Sequence, residues 1–149
     1  MNQRVAQFIK AFIAGFVSTM VFHQAVFWLL HVAGVISRPP YDLQPVPPFG
    51  IPAVISLAFW GGVWALVIWP WLENVNRPAY WTRALVISTI FPGAVGLFIV
   101  FPLKGTPIAG GWNPKVIVTA LVLDGAWGLG MALLMRLMQP SLVTLKSTA

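Results

Sequence analysis

The chain is 149 residues long, 58% of them hydrophobic and 8% charged, where a soluble domain carries about 25% charged residues. So little polar surface excludes a water-soluble fold and reads as one integral membrane domain over residues 1–149. The formal net charge of +6 sets nine Lys and Arg against three acids, and these bases flank apolar runs, where they anchor to headgroups and set orientation, so nucleic acid is not expected as a partner.

The chain has no cysteine, so disulfides, thiolate metal sites and cysteine nucleophiles are excluded. Crossing ~30 Å of hydrocarbon takes about 20 helical residues, and a lipid-exposed backbone must satisfy its own hydrogen bonds, so helices are the default. Four stretches qualify, at residues 8–36, 52–72, 81–103 and 115–138. The expected fold is therefore all-α, a four-helix membrane bundle. Arg4 and Lys10 precede the first stretch as in a secretory signal, but the apolar run continues to about Ile36 without a small-x-small cleavage site, so it reads as a retained span.

The first span contains Met20-Val21-Phe22-His23-Gln24-Ala25-Val26-Phe27-Trp28-Leu29-Leu30-His31, two imidazoles and an amide in an apolar run. The connection at residues 37–51 is proline-rich and suits extended backbone. It reads as a stiff connector, with a cap over the bundle or a partner's docking strip as alternatives. In the second span Trp60 and Trp64 lie deep, as do Trp28 and Trp127, and each indole N–H needs an acceptor there. Trp69, Trp71, Trp81 and Trp112 lie near span ends and suit an interfacial belt. Pro92-Gly93 predicts a kink midway along the third span. Small residues four apart, Ala11 with Gly15, Ala58 with Gly62 and Ala126 with Gly130, mark close helix packing.

Placing Arg4, Lys10, Arg77, Arg83, Arg136 and Lys146 on one side and Arg38, Lys104 and Lys115 on the other predicts both termini in the cytoplasm. A shift of 67 residues superposes Pro40 on Pro107, Pro47 on Pro114, Ala53 on Ala120, Trp60-Gly61 on Trp127-Gly128 and Ala65-Leu66 on Ala132-Leu133. Spans one and three match poorly under it. The echo suggests two hairpins of one orientation, a parallel pseudo-repeat.

Asp124 lies about ten residues, or about 15 Å, below the outer end of the fourth span, within a turn of the depth of His23. An acid at mid-bilayer costs about 2.5–3.5 kcal/mol on insertion scales. Asp124 is therefore expected to face inward and share a hydrogen bond with His23, with Gln24 beside them. The structural reading is that this contact fixes helix register. The functional one is a proton or small-ligand path through His23, Gln24 and Asp124, hinged at Pro92-Gly93.

A membrane pocket for a ring ligand such as haem, lined by Trp60, Trp64 and Trp127, is a further reading. His23 and His31 stand about 12 Å apart on one helix and cannot clamp one iron within a monomer. His31 reads more simply as a wet histidine under the proline-rich loop. No metal site or required cofactor is expected, and neither a phosphate loop nor a Ser-His-Asp grouping is present, so the chain reads as non-enzymatic.

With TMVFHQ, PPFGIP, FWGG, PLKGTPIAGGW and DGAWGLG in order, the chain resembles small four-span proteins of the bacterial inner membrane to which no activity is assigned. That resemblance implies four helices and the bacterial inner membrane, and it brings no catalytic residues. Function is expected through packing contacts, in a homo-oligomer or as an accessory subunit of a larger assembly. Membrane lipid and a protein partner are the expected neighbours.

Overall fold

The computed structural model describes residues 2–139; Lys146 and the side chain of Arg77, both counted in the charge tally, lie outside what it describes. Four helices are long and apolar enough to cross a membrane: α1 (Gln3–Val32), α2 (Ala53–Trp71), α3 (Pro78–Leu103) and α4 (Pro114–Leu137). A two-stranded antiparallel ribbon, β1 (Pro45–Val46) with β2 (Ile51–Pro52), lies between α1 and α2. The chain is thus an all-helical, multi-pass membrane protein by its architecture.

Helix ends follow local chemistry. The first apolar run was expected to reach residue 36, but α1 stops at Val32 because Gly34 takes φ 74°. The Gly34 N–H then bonds the His31 carbonyl and the Val35 N–H the Leu30 carbonyl, at 3.0 and 2.8 Å, closing the helix with a left-handed glycine. The end of α3 repeats the device with Gly105 (φ 73°), the Gly105 N–H bonding Pro102 and the Thr106 N–H bonding Phe101. Asn113 caps α4 through its side chain, accepting from the Lys115 N–H at 3.0 Å. Ahead of it, Ala109, Gly110, Gly111 and Trp112 all have positive φ, a left-handed turn that the two glycines make accessible.

Pro92-Gly93, the expected kink, lies inside α3. Helix continues through both residues, and the irregularity is a wide π turn one turn later, at Gly96–Val100. A second π turn interrupts α1 at Thr19–His23.

α1 packs between α2 and α4, and α3 packs on the far side of α4, whereas α2 and α3 touch along only a short edge. Two seams use the same device. In the α1–α2 seam, Thr19 Oγ1 donates to the Gly15 carbonyl of its own helix at 3.1 Å, and Gly61 of α2 lies against both groups. A Cβ there would stand 3.0 Å from Gly15 O and collide with Thr19 Oγ1. In the α3–α4 seam, Ser88 Oγ donates to the Ala84 carbonyl at 2.6 Å. Gly128 lies against that pair, its would-be Cβ 3.1 Å from Ala84 O and in collision with Ser88 Oγ. Glycine is required at both positions because the helix backbones approach this closely.

The apolar core fills the half of the bundle that holds the start of α1 and the end of α4, around Ala14, Ile68, Trp69, Leu72, Tyr80, Met131 and Met135. At this end Lys10 Nζ donates to the Met138 carbonyl at 3.0 Å, satisfying an orphan acceptor of α4. Trp69 was expected in an interfacial belt. It is buried in the core instead, at 4% exposure, and its Nε1 has no hydrogen-bond partner among the described residues.

Candidate functional site

The polar groups singled out in α1 meet the proline-rich connection. At the Thr19–His23 π turn the Gln24 N–H reaches back to the Thr19 carbonyl, so the Met20 carbonyl does not receive it. Tyr41 Oη donates to that carbonyl at 2.8 Å. The Tyr41 backbone N–H donates to Gln24 Oε1, also at 2.8 Å, and Gln24 Nε2 points to His23 Nδ1 at 3.4 Å. Tyr41 holds φ 55°, a conformation costing roughly 1–2 kcal/mol in a non-glycine residue, and its two hydrogen bonds offset that cost. The loop continues by capping α2: the Asp42 carbonyl accepts from the Val54 N–H and the Gln44 carbonyl from the Ala53 N–H, both at 2.9 Å. Pro52, ahead of α2, supplies no side-chain cap, so loop carbonyls do that work. The Arg38 guanidinium lies 5.3 Å from the centre of the Phe27 ring. The connection is therefore folded onto the bundle as a cap.

This geometry also sets the relative height of the two helices. Gln24 and Tyr41 are bonded, and Asp42 is bonded to the first turn of α2, so His23 and Gln24 lie level with the start of α2. α1 rises about 12 Å past that level, from the eight residues between Gln24 and Val32. α1 and α2 therefore do not end at one height.

Asp124 is elsewhere. It lies on the α3-facing side of α4, where a Cβ on Gly93 would stand 3.2 Å from its Oδ2. It is half-buried and forms none of the side-chain hydrogen bonds among the described residues. The expected His23–Asp124 hydrogen bond is not formed: His23 contacts Gln24 and stacks on Phe27, ring centres 6.3 Å apart. His31 donates from Nδ1 to the Ile36 carbonyl at 2.9 Å, fastening the chain just after the helix. No group of three His, Asp or Glu among the described residues is placed to hold a metal ion.

The three tryptophans expected to line one pocket are not brought together. Trp127 is 3% exposed; its Nε1 donates to the Gly15 carbonyl at 2.9 Å and its own carbonyl accepts from Ser18 Oγ at 2.6 Å. Trp60 faces outward at 57% exposure, and Trp64 packs against the edge of the core.

Sequence reasoning missed two residues with clear tasks. Tyr41, hidden among prolines, joins the cap to α1. Arg136 stacks over Tyr80 and Trp81, 4.2 and 5.6 Å from the ring centres, while Tyr80 Oη donates to the Ala132 carbonyl at 2.8 Å. The sequence signal for the second was present, an adjacent Tyr-Trp pair with a late basic residue in α4, but their proximity is tertiary.

The fold and these polar contacts define the class: a multi-pass helical membrane protein in which Ser18, Thr19, Tyr80, Ser88 and Trp127 are tied to backbone carbonyls. No family model, curated protein or solved structure matches the chain.

Proposed function

We propose that this is a non-enzymatic membrane protein that acts through the faces of its helices, as an accessory subunit of a larger membrane assembly or as a homo-oligomer. One observation carries the reading: Ser18, Thr19, Gln24, Tyr80, Ser88 and Trp127 are all hydrogen-bonded within the bundle or its cap. Their chemistry goes into shape, and the apolar outer faces are left for contact. The two glycine seams support a parallel duplication of one hairpin. Gathering of Lys10, Arg83 and Arg136 toward one end supports cytoplasmic termini in a bacterial inner membrane.

The test is native mass spectrometry of the chain extracted in mild detergent. A stoichiometric complex above the 16.3 kDa of one copy is expected, and a chain that is monomeric at every detergent concentration and in cross-linked membranes sinks the proposal.

Asp124 favours a second reading, a carrier or conduit for protons or a small ligand, because its carboxylate has no protein partner among the described residues in the α3–α4 seam. Proton flux into vesicles that disappears with Asp124→Asn supports it; equal flux in both proteins rejects it.

A further inference from the structure

The bundle is closed unequally. Along the α1–α4 edge, Trp127, Ser18 and Lys10 each bond across to the other helix. No such bond crosses the α2–α3 edge among the described residues; there the Trp71 ring meets the Phe91 ring edge-on at 5.6 Å. A cleft of about 400 Å³ opens beside this contact, lined by Pro70, Trp71, Asn74, Val75, Arg83 and Ile87.

Its chemistry is two-sided. Pro70, Trp71, Val75 and Ile87 give apolar walls, and Arg83 and Asn74 add a guanidinium and an amide to the lining. Arg83 forms no hydrogen bond, ion pair or ring contact among the described residues, unlike Lys10, which bonds Met138 O, and Arg136, which stacks on Tyr80 and Trp81. Glu73, next along the chain from Asn74, is not among the lining residues. Trp71 is half-exposed beside the cleft, as suits an indole at headgroup level.

We infer that this cleft binds one anionic phospholipid, with Arg83 and Asn74 on the phosphodiester and an acyl chain lying along the open α2–α3 edge past Ile87 and Phe91. A guanidinium is weakly hydrated and matches phosphate oxygens in pairs, and basic clefts between membrane helices recognise such headgroups. The apolar walls select a lipid over a soluble phosphate. The inference is independent of the subunit reading and needs only that the chain spans a bilayer.

The experiment titrates the full purified chain in mild detergent with phosphatidylglycerol or phosphatidylcholine and counts bound lipid by native mass spectrometry. The first phosphatidylglycerol is expected to bind about fivefold tighter than phosphatidylcholine, the scale of one well-placed base. Arg83→Gln removes that preference and Arg4→Gln, a base outside the cleft, keeps it. Ile87→Trp fills the cleft with Arg83 intact and abolishes the bound lipid while helix content is unchanged, which decides the matter should Arg83→Gln fail to fold. Equal binding of the two lipids, equal loss in Arg83→Gln and Arg4→Gln, or full retention in Ile87→Trp overturns the inference. Displacement of the lipid by millimolar inorganic phosphate also overturns it, since that marks a simple anion site.

Discussion

The indole nitrogen of Trp127 in α4 donates to the carbonyl of Gly15 in α1, 2.9 Å away, at a carbonyl that also accepts from Thr19 Oγ1 and from the Thr19 N–H. One backbone oxygen thus ties α4 to α1 at the level where Gly61 of α2 is in closest approach. Trp127→Phe keeps a ring in the site but loses the pyrrole half of the indole and one of the three donors, so it is expected to cost about 1–3 kcal/mol. Trp127→Ala empties a buried site and should cost about 3–5 kcal/mol. Reversible unfolding in mixed micelles measures both, and equal losses would contradict the assignment.

The glycine seams make a sharper prediction. Gly61→Ala and Gly128→Ala each force a methyl group into the facing helix, and overpacking of this kind costs about 1–3 kcal/mol. Gly96 lies in the same bundle with nothing near its missing side chain, so Gly96→Ala should leave the melting temperature unchanged or slightly raised. Thermal unfolding of the three variants in one detergent ranks them.

The cap over α1 and α2 is held by few bonds and can be loosened from either side, at Tyr41 in the loop or at Gln24 in α1. Tyr41→Phe removes the bond to the Met20 carbonyl and Gln24→Ala the bond to the Tyr41 N–H. Each is worth about 1 kcal/mol, so amide exchange at Ala53 and Val54 should quicken about fivefold in either variant, with exchange at Met131 unaltered.

The left-handed turn before α4 predicts an ordered pair of effects. Gly110→Ala and Gly111→Ala both place a side chain at positive φ, at about 1–2 kcal/mol each. A Cβ at Gly110 would also stand 2.6 Å from Val116 Cγ1, whereas at Gly111 its nearest neighbour is 4.0 Å away. Gly110→Ala should therefore be the more destabilising, and chemical unfolding of the two variants checks the order.

Asp124→Asn should not lower stability, since the carboxylate gives up no hydrogen bond to the described residues, and removing a charge from a half-buried site in lipid favours folding. A marked fall in melting temperature would reveal a partner for the carboxylate.

The sequence by itself determined the solvent of this protein, the number of its spans and most of their limits, because those follow from hydropathy summed over about 20 residues; the stop of α1 at Val32, set by the left-handed Gly34, was not read from it. It also exposed the Trp-Gly pairs at Trp60-Gly61 and Trp127-Gly128, since both belong to second helices related by one constant shift. It did not pair Thr19 with Ser88 or Gly15 with Ala84, which are 69 residues apart in number and so out of step with the shift of 67. Only the tertiary structure decided that Gln24 serves Tyr41, that His23 and Asp124 do not bond, and that Trp60 points outward while Trp69 is buried. Side-chain partners in a bundle depend on how far each helix is rotated and raised against its neighbours. Hydropathy within lipid is nearly the same around a whole apolar helix, so it carries almost no record of either.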